Sequence, residues 1–559
     1  MGSNSPAYCG EVSCCAIRKT AASASETGFD TDNLQYNRQI NAGIAWLPGR
    51  PGLGFRFRRF QYLHIEKGKS ASGRIRESRK QRLYRQFAVM TAATYHSQPV
   101  PPFPQTAAPS AVLVDDSSAF RRLGFNVLLV FLFLVFSRIF DVKFGGLHIT
   151  GVAYRVVFAM VLLSGGFLSA LKTNIGKALL GFTICFGLSV PFSLWRGGSQ
   201  EIFQGWATFS FVAFLAVAGL VNNYKQWSKL FKTVTYALLA FTIIANIFGT
   251  SETGRLFLEQ GKFGNPNEMA QALLLGLPLW GAMMIMSKSL PGKVFAAGVM
   301  VLILMTTVRT GSRGAMIGFV AMLLVVFLRA PIMGKMKLIL AAVLFVGAVA
   351  TTMPGRLIAR YKSTVNEDDA GDGEMDAAMA SSAASSTQSR KQLLRHSLIF
   401  TIQHPLFGVG PGMFVVADDG YVKTLGARHG NWLGTHNSYT QVSSELGIPA
   451  LLFFVTAVGM ALAGSYRVYK RTRGDPRLEE MGNLALGLHY CMVVYAVTIL
   501  FEHIAYTIML PVFGGMVAAL VRTAEMEIQR LQSVPLPVSM SPAMFHNFLA
   551  TRPPAGVGK

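Results

Sequence analysis

The stretch HNSYTQVSSELGIPALLFF, residues 436–454, decides the fold class because it passes from a polar loop directly into an apolar helix. His436 lies at the polar end, where its ring meets water on one side and a lipid-anchored helix on the other. Histidine titrates near neutral pH, so an imidazole at a membrane surface can take a proton from a substrate hydroxyl. From this residue alone two interpretations stay open: a general base, or an interfacial histidine that only hydrogen-bonds its own loop.

Composition assigns the chain to the polytopic membrane proteins. Hydrophobic residues make up 51% of the 559 residues and charged residues only 14%, which excludes an ordinary soluble globule. A bilayer is spanned by about 20 apolar residues. Twelve stretches approach that length: 123–140, 151–171, 175–194, 202–221, 229–249, 269–287, 293–308, 314–330, 337–353, 447–465, 484–502 and 505–522. We therefore predict an all-α fold of about 12 transmembrane helices.

The distribution of lysine and arginine predicts the orientation, because short cytoplasmic loops retain these residues. They concentrate in one set of alternate connections: Arg121, Arg122, Lys172, Lys177, Lys225, Lys229, Lys288, Lys293, Arg329, Lys335, Lys337, Arg467, Lys470, Arg471 and Arg473. If these loops are cytoplasmic, both termini are cytoplasmic as well. A large extracytoplasmic loop, 354–446, then lies between predicted helices 9 and 10 and carries His436.

Four arginines fall on the face where this rule predicts few: Arg196, Arg255, Arg309 and Arg313. A guanidinium group binds phosphate oxygens through two parallel hydrogen bonds and stays charged at any working pH. Each arginine taken singly could equally extend towards a lipid phosphate. Four on the side of His436 favour an anion-binding site.

Two segments carry a resemblance to a known family. HPLFGVGPGMF (404–414) and the opening stretch resemble the O-antigen ligase and Wzy-type polymerase superfamily of bacterial polysaccharide assembly. The family's ligase motif is His, then Asn, Ser or Gln, nine residues, Gly, two residues, then Gly, Thr or Tyr. The chain matches at His436, Asn437 and Gly447 and departs at Ala450.

Two further segments, TGSRGAMIGF (310–319) and GKFGNPNEMAQALL (261–274), resemble the same family, so that the resemblance covers about residues 123–522. It implies a multi-pass enzyme of the bacterial inner membrane whose active site faces the periplasm. The expected reaction moves a glycan from a polyprenyl diphosphate to an acceptor hydroxyl. Ligase and polymerase activities both stay open, and so do the acceptors: lipid A–core, protein or another glycan.

The resemblance also implies roles for single residues. His436 would accept the proton of the attacking hydroxyl. Arg313, Arg309 and Arg255, with Arg196 as a weaker candidate, would hold the diphosphate without a metal or other cofactor. Asn437 or Glu445 would orient the hydroxyl or the sugar, although Glu445 could equally be a helix-end carboxylate. The expected partners are the lipid-linked donor, the glycan or lipid A–core acceptor and membrane lipids, but no nucleic acid.

Competing interpretations rest on weaker signals. A polysaccharide transporter or flippase is the alternative function, but proton-coupled carriers place acids within their spans, and here Glu502 lies only at an outer end, beside His503. The Asp418–Asp419 pair is the alternative metal site. Gly408–Gly412 could cradle a phosphate, although a tight turn is the simpler interpretation.

The terminal regions differ from the membrane domain, which we place at 121–530. Residues 1–120 are basic and rich in Ser, Ala, Gly and Pro, without a long apolar run, which predicts a disordered cytoplasmic tail. Met90 is an alternative start, in which case residues 1–89 would not be translated. Residues 531–559 form a second predicted disordered tail, and the acidic run 366–376 is predicted to be an insertion in the outer loop.

The charge asymmetry generates a prediction about topology. A reporter that is active only outside the cytoplasm should be active when fused after Gly420 and silent when fused after Gly474. The opposite pattern would place His436 in the cytoplasm and contradict the proposed orientation.

Overall fold

A computed structural model describes residues 119–139, 149–252, 254–259, 265–352, 355, 357, 361, 374–430 and 432–533. The two predicted tails lie almost entirely outside the described residues, as does most of the acidic run 366–376. The described part of the chain is mostly helix with almost no sheet, which confirms the all-α part of the prediction.

The first half of the described chain contains eight helices separated by short connections. They are α1 (Ala119–Ser137), α2 (Ile149–Leu163), α3 (Gly166–Leu171), α4 (Asn174–Ser189), α5 (Arg196–Gly205), α6 (Phe211–Leu220), α7 (Tyr224–Phe248) and α8 (Pro266–Met286). A π-helical turn, Trp206–Ser210, joins α5 to α6, so that the two form one continuous span.

The second half contains nine more helices. They are α9 (Leu290–Arg309), α10 (Arg313–Arg329), α11 (Ile332–Thr352), α12 (Glu374–Gln403), α13 (Phe414–Thr424), α14 (Ser438–Leu446), α15 (Ile448–Thr472), α16 (Glu479–Thr498) and α17 (Met509–Ser533). Helices α12, α13 and α14 belong to the segment that the sequence assigns to the outer loop.

Among the described residues, nine helical segments are long and apolar enough to cross a membrane. The twelve apolar stretches of the sequence all fall on helices, but three of the stretches do not correspond to any of these nine segments. They are the stretches on α1, on the pair α2–α3 and on α10. The stretch 151–171 is broken because Gly165 adopts φ 64°, a left-handed conformation that ends α2. The count of twelve spans therefore stays a prediction.

The core lies between the central helices. Most of the apolar part of α8 (72%) and of α17 (78%) is buried within the protein, whereas α11 has no fully buried residue and lies at the periphery. Buried tryptophans fasten the central helices to one another, because an indole N–H in an apolar core needs an acceptor. Trp227 Nε1 donates to the Met516 carbonyl at 2.8 Å, and Trp280 Nε1 donates to the Thr235 carbonyl at 3.2 Å.

A short hairpin is the feature that the all-helical prediction missed. Strands β1 (Thr250–Glu252) and β2 (Arg255–Phe257) pair antiparallel, with Ser251 opposite Leu256. Six residues give too little periodicity to reveal a strand pair. The hairpin matters because it places Arg255 beside the α9–α10 turn.

The membrane span begins next to the predicted position, residue 447, but a short helix and not an irregular loop precedes it. His436 does not open a transmembrane helix; it precedes the short helix α14, and the span α15 begins at Ile448. Gly447 separates the two helices with φ 87°, which a residue with a Cβ rarely adopts. Ile448 N then donates to the Pro405 carbonyl at 2.7 Å, which holds the start of α15 against the preceding loop.

Candidate functional site

His436 is held at the entrance of α14 by its neighbour. The Asn437 side-chain oxygen caps the helix, accepting hydrogen bonds from the Tyr439 N–H at 2.9 Å and the Thr440 N–H at 3.2 Å. Asparagine is among the preferred N-cap residues because it satisfies amide groups that the first turn leaves without partners. His436 itself adopts φ 48°, which is uncommon for a residue other than glycine. A non-glycine residue in this conformation is a frequent mark of a functional site.

The first turn of α14 is attached to the connection between α16 and α17, residues 499–508. The Ser438 hydroxyl donates to the Glu502 carbonyl at 2.7 Å and accepts from the Ile504 N–H at 3.0 Å. The Ser438 N–H donates to the Ile499 carbonyl at 2.8 Å. Three hydrogen bonds at one buried serine thus fix the α16–α17 connection against the residues around His436.

His503, in this connection, lies against His436. The two imidazole rings meet edge to face, with centroids 5.1 Å apart and planes at 83°. Gly434 packs so closely on the His503 ring that a Cβ at this position would come within 2.7 Å of it. Three atoms of this cluster are buried without a hydrogen-bond partner among the described residues: Nδ1 of His436, Nδ1 of His503 and Oε2 of Glu502. Buried polar atoms seldom lack partners, and such a group calls for an explanation.

Burial controls the protonation of this cluster. Removal from water, followed by the nearby charges of His503 and Arg390, lowers the pKa of His436 to about 3. Burial and Arg390 also lower the pKa of His503. Burial raises the pKa of Glu502 to about 8; Arg390 and Arg255 act against this rise. At neutral pH both imidazoles are therefore neutral and the Glu502 carboxyl is largely protonated.

Three of the predicted arginines meet at the α9–α10 turn. Arg255 reaches it from β2: its Nε donates to the Thr310 carbonyl at 2.9 Å, and its Nη2 to the Asn267 side chain at 2.7 Å. Arg309, the last residue of α9, is exposed and donates to the Asn246 side chain at 2.8 Å. Arg313 is the first residue of α10 and is half-buried. The structure thus gathers three cations at the edge of one turn.

The segment Phe501–His503 joins this arginine group to His436. On one side Gly314 packs against Phe501, where a Cβ at residue 314 would come within 2.7 Å of the phenylalanine Cβ. On the other side His503 contacts the His436 ring. Glu502 is the middle residue of this segment, and the positive charge of Arg255 acts to lower its pKa. The Phe501–His503 segment therefore contacts His436 at one end and the start of α10, next to Arg313, at the other.

Arg196, the fourth predicted arginine, lies apart from this segment. Its exposed guanidinium donates through Nε to the Pro191 carbonyl at 2.9 Å. Arg196 is the first residue of α5. It lies within the segment 193–199, which packs against the loop at Val409–Pro411. None of its contacts in the described part of the chain reaches the Phe501–His503 segment.

Glu445 lies at the opposite end of α14 from His436, a separation of about 13 Å along the helix. It is buried, and its Oε2 accepts hydrogen bonds from the Gly412 N–H at 2.8 Å and the Tyr506 hydroxyl at 2.7 Å. The Gly410 N–H donates to the Glu445 backbone carbonyl at 3.0 Å. The glycine-rich segment 408–412 is therefore a tight turn wrapped on the end of α14. Its contacts with α14 leave the Glu445 carboxyl occupied.

Both members of the alternative metal pair have other partners. Asp418 Oδ1 lies 2.6 Å from His396 Nδ1. Asp419 binds Lys423 Nζ at 2.6 Å and accepts from the Gly430 N–H at 2.8 Å. Among the described residues, no group of three or more His, Cys, Asp or Glu side chains could share a metal ion.

Three residues near His436 were not among the predicted site residues: Arg390, Glu502 and His503. Arg390 lies in α12 and is half-buried, and its charge acts on His436, His503 and Glu502. It had the same signal as the other arginines, namely a basic residue on the predicted outer face. Glu502 and His503 are weaker indications of a site in the sequence, since polar residues at the end of a membrane span also occur simply because they are solvated there.

Comparison with known protein families identifies the domain. Residues 298–455 match the family model of the O-antigen ligase domain. The match confirms the resemblance to the O-antigen ligase and Wzy-type superfamily: the chain carries an O-antigen ligase domain at these residues, within a multi-helix membrane protein. The matched region includes Arg313 and His436, whereas Arg255 and His503 lie outside it. Comparison with curated proteins gives no match.

Glu445 generates a prediction about pH. Burial raises its pKa from 4.5 to about 7, so between these values the folded protein keeps a proton that the unfolded chain has lost. The stability that this proton contributes is complete below pH 4.5 and is lost as the pH rises through 7, by on the order of 3 kcal/mol. Glu445→Gln, which is always neutral and still accepts hydrogen bonds, should remove this loss. Thermal unfolding in detergent at pH 5 and pH 8 measures it.

The exposed Glu201 provides the matched control, since Glu201→Gln should keep the pH dependence of the unmodified protein. An identical pH dependence in Glu445→Gln would show that the Glu445 carboxyl is already ionised in the folded state.

Proposed function

We propose that this O-antigen ligase-domain protein transfers a glycan from a polyprenyl diphosphate carrier to an acceptor hydroxyl at the periplasmic face of the inner membrane. The observation that carries the proposal is the Phe501–His503 segment, which contacts the His436 ring at one end and Gly314, the neighbour of Arg313, at the other. Transfer from a lipid diphosphate needs both: cations where the negative charge develops and a base where the acceptor loses its proton.

The arginine group is suited to the leaving diphosphate. As the bond between the anomeric carbon and the diphosphate oxygen breaks, its electron pair stays with the diphosphate. Arg255, Arg309 and Arg313 offer planar forks that bind phosphate oxygens in pairs. Asn246, Asn267 and the Thr310 carbonyl already orient two of these forks. Fixed cations provide this stabilisation without a metal ion, so we propose a metal-independent reaction.

His436 is suited to the acceptor proton. Its pKa of about 3 keeps the free imidazole neutral, so that a nitrogen lone pair is available at any physiological pH. The same low value makes it a weak base in the empty site. A diphosphate bound beside the arginines brings negative charge that offsets Arg390, and this raises the basicity of His436. Donor binding would thus prepare the base for the acceptor.

The remaining predicted residues would act in support. Asn437 fixes His436 by capping α14 and would orient the base in preference to the sugar. Glu445 would keep the turn at residues 408–412 in place. Arg196 is exposed beside that turn and would contribute a peripheral contact to the donor or to lipid phosphate.

The proposal includes the predicted orientation and domain division. The segment 354–446 and His436 face the periplasm, and both termini are cytoplasmic. The membrane domain, 121–530, carries the reaction, whereas the tails 1–120 and 531–559 take no part in it. The mechanism needs only a hydroxyl on the acceptor. It is therefore the same for ligase activity on lipid A–core and for polymerase activity on a growing glycan.

The first test removes the base. His436→Ala should abolish glycan transfer in cells while protein level and membrane insertion stay near those of the unmodified protein, because only the proton acceptor is lost. His404→Ala, at an exposed position outside the cluster, is the matched control and should transfer normally. Full transfer by His436→Ala would reduce His436 to a loop residue and contradict the proposal.

The second test separates cationic from metal-based stabilisation of the leaving group. Arg313→Lys keeps the charge but loses the fork, and should lower the transfer rate by about one to two decades, equivalent to about 1.5 to 3 kcal/mol. The exposed Arg428 is the control, and Arg428→Lys should be unaffected. Chelation of divalent ions should leave transfer by the purified enzyme unchanged. Activity that vanishes with EDTA and returns with magnesium would refute the arginine mechanism.

A further inference from the structure

The cluster at the α16–α17 connection leaves two facing imidazoles incompletely hydrogen-bonded. Nδ1 of His436 and Nδ1 of His503 are each buried without a partner among the described residues, although the rings lie edge to face only 5.1 Å apart. Both nitrogens lie below the protein surface, where a polar atom without a hydrogen-bond partner is costly. At this centroid separation a nitrogen of one imidazole can reach a nitrogen of the other once the rings turn towards each other.

His503 is placed firmly enough to act on its neighbour. Its ring packs on the backbone at Gly434, two residues before His436. The Ser438 hydroxyl holds the carbonyl of Glu502 and the N–H of Ile504, the residues on either side of His503. The backbone around His503 is therefore fixed relative to that around His436, and only the rings need to move.

The chemistry of a histidine base requires a partner of this kind. Because Nδ1 of His436 is buried, Nε2 is the nitrogen left to meet a hydroxyl. Nε2 can accept a proton only in the tautomer that carries its hydrogen on Nδ1, and a buried Nδ1–H needs an acceptor. Burial and the charge of Arg390 lower the pKa of His503 and keep this ring neutral, so it has one nitrogen able to accept.

We propose that His503 is a positioning residue for His436, whose Nδ1 accepts the Nδ1–H hydrogen bond of His436 when substrates are bound. This inference rests on the proposed function. In the transfer step the acceptor oxygen bonds to the anomeric carbon, the diphosphate leaves with the electron pair, and the hydroxyl proton moves to Nε2 of His436. His503 keeps its own proton throughout, holds the reactive tautomer and stabilises the imidazolium that forms. It plays the part of the third group that orients the base in a catalytic triad.

The test uses two substitutions that separate the ring from its nitrogen. His503→Phe keeps an aromatic ring against His436 but removes the acceptor. His503→Asn removes the ring but places an amide oxygen near the former position of Nδ1. Both are compared with the unmodified full-length protein in lipid nanodiscs. The substrate is the native pool of lipid-linked glycan extracted from membranes of a strain that lacks this protein, and release of polyprenyl diphosphate is measured.

His503→Phe should lower kcat by about 10- to 100-fold, as expected for loss of one hydrogen bond to a charged group, while KM for the lipid-linked donor stays within about 2-fold. His503→Asn should recover most of the lost kcat. A purely structural role predicts the reverse order, since phenylalanine fills the site better than asparagine. Unchanged kcat in His503→Phe, or equal losses in the two variants, would overturn the inference.

His436→Ala in the same assay separates this inference from the proposed function. Full turnover by His436→Ala refutes the proposed base, and the role of His503 falls with it. Loss of turnover in His436→Ala together with normal kcat in His503→Phe leaves the proposed function intact and refutes only the positioning role.

Discussion

The position of His436 depends on the buried hydroxyl of Ser438. This single group donates to the Glu502 carbonyl and accepts from the Ile504 N–H, and so joins the first turn of α14 to the α16–α17 connection. Loss of such a group leaves two backbone atoms without partners in an apolar setting, which is expensive. Through this attachment His436 lies against His503, and Phe501 lies against the start of α10, where the arginines meet.

Burial also explains how a neutral His436 lies in the same part of the protein as several arginines. In a site with little water, electrostatic interactions are strong, so Arg390 and Arg255 disfavour any further positive charge nearby. The two imidazoles are therefore neutral. The Glu502 carboxyl is largely protonated, because burial raises its pKa by more than the arginines lower it. The empty site is therefore positively charged overall. In the proposed reaction this positive charge would interact most strongly with the diphosphate as negative charge develops on it, which is how binding energy lowers the barrier.

The sequence predicts the parts of this arrangement that leave a local pattern. Hydropathy locates the helices, and the positions of lysine and arginine single out Arg255, Arg309 and Arg313, which the fold brings together. The pairing of His436 with His503 could not be predicted in this way, because a contact across 67 residues leaves no periodicity in either segment. Asn437 illustrates a different limit: a polar residue beside a candidate base suggests substrate binding, whereas its side-chain oxygen is occupied by the N-terminus of α14.

The two ends of the short helix α14 have different surroundings. Its C-terminal end is buried in the turn at residues 408–412, where the Glu445 carboxyl and backbone hold the loop, and Gly447 turns the chain into the membrane. Its N-terminal end carries His436 in a left-handed conformation with an unpartnered nitrogen. The hydrogen bonds of Asn437 and Ser438, the two residues that follow, hold His436 in this conformation. The glycines that resemble a phosphate-binding loop in the sequence therefore hold the C-terminal end of α14, the helix that His436, the proposed base, precedes.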